Sequence, residues 1–191
     1  MIINLRRLKR LIPYLLLAVF MVLFLSHTGW PWRLLYPIHY QEIIFRCGRE
    51  FGVDPFLITA VIRVESKYYP RALSPAGAVG LMQIMPETGQ WVAEKLELEN
   101  FTPDLLYEPE INIRIGTWYL ASLQEEFGDL NLVLAAYNGG RGNVKRWLEK
   151  QRAEGQAAGL EGFPFPETRS YVVKVLHNYK RYREIYQKNT N

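Results

Sequence analysis

The chain has 191 residues, 49% of them hydrophobic and 22% charged, a composition that suits an ordinary globular protein with one core. Its formal charge of +4 invites a nucleic-acid reading, but the excess is confined to the N-terminus. Residues 1–33 hold five basic side chains and no acid, leaving 18 basic against 19 acidic side chains in the rest, so nucleic-acid binding loses its electrostatic basis.

In chain order, Arg6, Arg7, Lys9 and Arg10 precede an uncharged apolar run over residues 11–25. Basic residues on one side only make this an export signal. The run is shorter than the roughly 20 residues that span a bilayer, but residues 26–32 are uncharged and extend it, with Trp30 and Trp32 at the far interface. No Ala-x-Ala-like pattern follows, so residues 11–30 are expected to stay in place as a transmembrane signal anchor rather than be cleaved. Positive-inside bias then makes residues 1–10 a cytoplasmic basic segment and 31–37 a short linker, with a folded domain over 38–187 outside. Cys47 has no partner for an intramolecular disulfide and is expected to be a buried small hydrophobe.

Beyond residue 37 the punctuation is helical, with prolines at first-turn positions and glycines at ends. A segment to about Phe51 carries Ile38, Ile43, Ile44 and Phe51 as an apolar stripe. Asp54 as N-cap and Pro55 at the first position predict a helix to Glu65 or Lys67. Residues 68–85, rich in Gly, Pro and Ser, read as an ordered loop. Helices are expected at 86–97, 110–127, 130–137 and 143–150, with Asp129 and Asn143 as caps. Residues 151–166, rich in Gly, Ala, Pro and Gln, are expected to be the most mobile part, and residues 167–186 form a last helix. No strand alternation, internal repeat, metal-ligand spacing or phosphate-cradling glycine loop is present, so neither metal nor cofactor is expected.

One carboxyl stands out. Glu65 follows the apolar run of residues 57–62 near the C-terminal end of its helix. There the helix dipole and desolvation both disfavour the anion. A carboxyl kept protonated near neutral pH can act as a general acid. The structural alternative is a solvated group at a helix end.

Glu65-Ser66, then Pro70, Ala72, residues 74–78, Gly80-Leu81-Met82-Gln83 and Pro86-x-Thr88 form the first block of a pattern. Leu106-Tyr107-x-Pro109-Glu110-x-Asn112-Ile113, residues 136–140 and Glu167-Thr168-Arg169-x-Tyr171-Val172 follow. Together these resemble the lytic transglycosylase family related to goose-type lysozyme, in family order and over about residues 38–186. The chain departs from the family pattern at Tyr69, Gly139 and Arg141, which flank the motifs.

The resemblance implies a mainly α, lysozyme-like fold of the α+β superfamily, a peptidoglycan glycan strand as partner, and Glu65 as the single catalytic acid/base. It places Ser66 beside Glu65 as a hydrogen-bonding partner, Gln83 and Asn138 as polar groups of the sugar cleft, and Met82 in the cleft wall. Tyr171 would contact substrate or orient Glu65, and Tyr137 is among the aromatics, with Tyr68, Tyr69 and Tyr107, that can face sugar rings. From the residues alone, Met82 can equally be core filling, Asn138 a helix-junction cap and Tyr171 a packed helix residue. The family chemistry cleaves between N-acetylmuramic acid and N-acetylglucosamine and leaves 1,6-anhydro ends. A lysozyme-type hydrolase and a non-catalytic glycan-binding scaffold are the alternatives.

Overall fold

The computed structural model describes residues 5–28, 30–155, 159 and 162–187. It divides into two compact units, residues 1–37 with 185–191, and residues 38–184.

In the first unit the leader forms α1, Leu5–Thr28, and then α2, Trp30–Leu35. Among the described side chains of α1, the large apolar ones from Leu11 to Val22 and Phe24 face outward, 48–71% exposed. Among the described residues no helix is long and apolar enough to cross a membrane. The apolar run of residues 11–25 rises about 22 Å against roughly 30 Å of bilayer hydrocarbon. Trp32, expected at a membrane interface ahead of a linker, belongs to α2. The Tyr186 hydroxyl donates to the Tyr36 carbonyl at 2.8 Å, and the Arg33 guanidinium lies 5.1 Å from the Tyr186 ring.

The second unit is helical: α3 (Gln41–Phe51), α4 (Pro55–Glu65), α5 (Pro86–Lys95), a 3-10 turn at Pro103–Tyr107, α6 (Pro109–Phe127), α7 (Leu130–Gly139), α8 (Arg141–Ala153) and α9 (Pro166–Tyr186). α6 packs against α3, α5 and α7, and α3 packs on α4. The expected caps hold at two places. Asp54 accepts from the Phe56 amide at 2.8 Å and Asp129 from those of Asn131 and Leu132, satisfying amides that a helix start leaves unpaired. Asn143 is not a cap. α8 starts two residues earlier, after Gly140 at φ 91, and Asn143 donates to the Gly139 carbonyl at 2.7 Å.

α4 is the helix that matters most. Its residues Phe56 to Ile62 are all buried, so it is apolar on every side and runs through the core, as an all-round hydrophobic pattern requires. Cys47 is buried as expected, and burial pushes its thiol up to about 11, where it stays protonated and unreactive. Residues 68–85 form the expected loop, with isolated antiparallel bridges at Leu73–Val79 and Val79–Ile84. Of the segment expected to be most mobile, residues 151–153 belong to α8 and Phe163 is buried, its ring 5.2 Å from Trp147. Residues 156–158, 160 and 161 lie outside the described residues.

Candidate active site

α4 delivers Glu65 as its last residue, at the negative end of the helix dipole. The chain then turns through Lys67 and Tyr68, both at positive φ (51 and 66). Two successive non-glycine residues in the left-handed region cost of order 1–3 kcal/mol each and persist only where packing over-determines them. Here the Tyr68 ring meets His39 edge-on at 5.0 Å and its hydroxyl lies 3.3 Å from that of the fully buried Tyr182. The turn that ends the Glu65 helix is thus clamped from two sides.

Burial raises the Glu65 carboxyl to about 7, and the facing Tyr171 hydroxyl partly offsets the rise by favouring the anion. Among the described residues no second carboxylate contributes to this shift. Asp54 is occupied capping α4 and accepts from the Tyr179 hydroxyl at 2.6 Å, and Asp129 caps α7. Tyr171 and Tyr137 are each held protonated, first by burial and then by the nearby Glu65 charge. The Tyr171 hydroxyl is buried without a partner at ordinary hydrogen-bond geometry. The group it faces is the Glu65 carboxyl.

The other expected residues divide by what they touch. Gln83 donates both amide hydrogens to loop carbonyls, Gly80 at 2.8 Å and Ala72 at 3.2 Å, and sits at φ 50; its Oε1 remains to accept. Asn138 is exposed near the end of α7. Ser66 does not donate to Glu65. Its single hydroxyl proton goes to the Leu81 carbonyl at 2.7 Å, with Ile62 at 3.2 Å, tying the end of α4 to the loop. Met82 does not line a cleft wall, because it is fully buried and packs on α6 at Gly116, where an added Cβ would lie 2.5 Å from its sulfur. Tyr137 donates to the Met82 carbonyl at 2.8 Å, so it braces the loop from the α7 side.

Asn112 stands within the second motif block, where sequence reasoning gives it no role, and it is the residue that organises this loop. Asn112, fully buried on α6, accepts from the Met82 amide at 2.8 Å and donates to the carbonyls of Leu106 at 2.7 Å and Val79 at 3.0 Å. Gly80, at φ 77, passes so close that an added Cβ would fall 2.3 Å from the Asn112 amide nitrogen and 2.2 Å from the Leu106 oxygen. The available signal was a lone amide between Ile111 and Ile113, at a position where helix periodicity asks for a core residue.

The model of the transglycosylase SLT domain matches residues 42–159, which include Glu65, the loop and the α7 tyrosine. The chain belongs to the transglycosylase SLT-domain family. It is 39% identical over 144 residues to a soluble lytic murein transglycosylase of Salmonella typhimurium, covering 74% of this chain and 22% of that protein. Membrane-bound lytic murein transglycosylase C of Edwardsiella ictaluri is 35% identical over 170 residues, covering 76% of this chain and 47% of that one. The crystal structure of the 70 kDa soluble lytic transglycosylase of Escherichia coli superposes with a TM-score of 0.71 at 37% identity, over 78% of this chain and 25% of that one. A 70 kDa soluble lytic transglycosylase in complex with bulgecin A also superposes with a TM-score of 0.71, at 36% identity. The chain therefore spans about a fifth of the length of its soluble relatives and under half of the membrane-bound one. In SLT-domain terms, the fold expected from the sequence is the one found, a mainly helical lysozyme-like domain.

Proposed function

We propose that this SLT-domain protein is a peptidoglycan lytic transglycosylase in which Glu65 alone serves as acid and then base. The observation that carries the reading is a half-buried carboxyl raised to about 7 by desolvation, with no carboxylate partner among the described residues. A two-carboxylate glycosidase needs a second acid to supply the nucleophile or activate water, whereas one group titrating near the operating pH can both give and take a proton.

Protonated Glu65 gives its proton to the oxygen between N-acetylmuramic acid and N-acetylglucosamine, and the bond from that oxygen to the muramic C1 breaks. The muramic N-acetyl oxygen stabilises the cationic C1. Ionised Glu65 then takes the proton of the muramic C6 hydroxyl as its oxygen bonds to C1, closing the 1,6-anhydro ring without water. Tyr171, whose hydroxyl favours the Glu65 anion, supports the second state. The Gln83 carbonyl and Asn138 amide supply hydrogen bonds to the sugar, while Ser66, Met82 and Tyr137 hold the loop. The relatives, a soluble and a membrane-bound lytic murein transglycosylase, support the same substrate.

The domain works close to a membrane. Support comes from the basic cluster on one flank of α1, its outward apolar side chains and the membrane-bound relative; residues 11–30 act as the signal anchor with 1–10 inside and 38–187 outside. Carbonate extraction of native membranes is expected to leave the chain in the pellet, and its appearance in the supernatant would remove the anchor.

Mass spectrometry of muropeptides released from purified peptidoglycan tests the reaction. Anhydromuramyl ends are expected. Reducing muramic ends would mean a hydrolase, and no release would mean a glycan-binding module. The pH profile gives a second check. The first step needs the protonated acid, so kcat/KM is expected to fall as pH rises through about 7; a limb at the ordinary carboxylate value of about 4.3 would contradict a buried acid.

A further inference from the structure

A second feature lies on α5, away from Glu65. Trp91, half-buried, lines an open groove of about 470 Å³ with Pro86 and Pro103 on its sides and Glu87, Gln90 and Glu94 around it. That size and that mix of aromatic wall and few polar groups suit one small ligand. Trp91 is held rigidly, its ring edge-on to Trp118 at 5.4 Å and to Tyr119 at 6.2 Å. Tyr119 in turn lies 5.6 Å from Tyr137, the tyrosine that senses the Glu65 charge. Two ring contacts therefore connect the acid's surroundings to the groove. Along the chain the same path runs from Gln83 through Met85, 40% exposed, to Pro86.

We propose that the Trp91 groove is a distal sugar subsite that takes a neutral N-acetylglucosamine ring of the strand whose scissile bond lies at Glu65. The inference rests on the transglycosylase reading and extends it to strand length. The Trp91 ring offers an apolar wall to the C–H face of a pyranose, with the two prolines bounding it. Gln90 donates to Glu94 at 3.0 Å, which leaves carboxylate and amide oxygens to accept from sugar hydroxyls and the acetamido N–H. Glu87 and Glu94, both exposed, repel the acidic groups a muramic residue brings, its lactyl carboxylate where free or the carboxylates of its stem peptide where amidated, so charge selects the neutral sugar of the repeat.

The test is calorimetric binding of chitohexaose and chitotriose to the full-length protein in detergent, comparing wild type with Trp91→Ala, Trp91→Phe and Gln90→Ala. Trp91→Ala is expected to weaken chitohexaose about tenfold, equivalent to about 1.4 kcal/mol, and chitotriose, the probe for the sites next to Glu65, by less than about twofold. Gln90→Ala, at an exposed position that cannot disturb the core, is expected to weaken the hexamer alone. Should circular dichroism show that Trp91→Ala has lost its fold, Trp91→Phe and Gln90→Ala decide in its place. Equal weakening of both oligosaccharides, unchanged hexamer affinity, or no hexamer binding by wild type overturns the subsite. Trp91-dependent hexamer binding without any release of anhydromuropeptides from peptidoglycan would instead overturn the transglycosylase reading and leave the subsite standing.

Discussion

Glu65→Gln is expected to abolish anhydromuropeptide release, by about a thousandfold or more, while making the protein more stable at alkaline pH. Loss of a general acid alone costs about 10²–10⁴ in rate, and here the same group is asked to act twice. The stability effect follows from burial. The Glu65 carboxyl stands at about 7 in the folded chain against 4.5 unfolded. Between those values the folded state binds more protons than the unfolded state, so unfolding free energy falls as pH rises through this window and stays low above it. A full shift corresponds to about 3 kcal/mol, and water that still reaches this half-buried side chain reduces it to about 2 kcal/mol. Gln is uncharged at every pH and escapes the penalty. The difference in melting temperature between variant and wild type is therefore expected to be near zero at pH 4 and to grow to about 5 °C at pH 8. A variant equally stable at pH 4 and less stable at pH 8 would show that the Glu65 anion is favoured by the fold, and the proposed acid would lose its basis.

The same physics explains what was legible in the sequence. Asp54, Pro55 and the unbroken apolar run after them specify a buried helix by local rules alone, and that helix fixes where Glu65 emerges and why its proton is retained. Asp129 and the glycine-rich loop are equally local. The side-chain misreadings are chiefly of contacts made at long range. Met82 stands beside Gln83 in one motif, yet the loop turns Met82 onto Gly116 of α6 and Gln83 onto its own carbonyls. Ser66 has an apparent partner next door in Glu65, but a carbonyl 15 positions on takes its proton. The start of α8 moved because Gly140 adopts a positive φ that residue type permits without demanding. No neighbour rule identifies which buried amide holds the loop, and that amide carries the largest stability effect expected outside the acid itself.

Asn112→Leu is expected to lower stability by about 4 kcal/mol, with a fall in melting temperature of about 10 °C or more. The substituted side chain is close in volume and apolar, so packing alone predicts a small change. The cost comes from what is left behind. The Met82 amide and the Leu106 carbonyl lose their Asn112 partner inside the core, the Val79 carbonyl keeps only the Ile84 amide, and each of the two stranded groups costs about 1–3 kcal/mol. Activity is expected to fall further than the loss of folded protein explains, because the segment released carries Gln83 and the carbonyl that anchors Tyr137 beside the acid. Gly80→Ala attacks the same joint from the other side, through a Cβ that would strike Asn112 and the Leu106 oxygen. The two substitutions share one set of bonds, so the double variant is expected to lose well under the sum of the single effects. Chemical denaturation of the two single variants and the double, with kcat/KM measured on the folded fraction, decides the matter. Additive losses in stability, or kcat/KM unchanged per folded molecule, would separate the Asn112 joint from the placement of the sugar-binding loop.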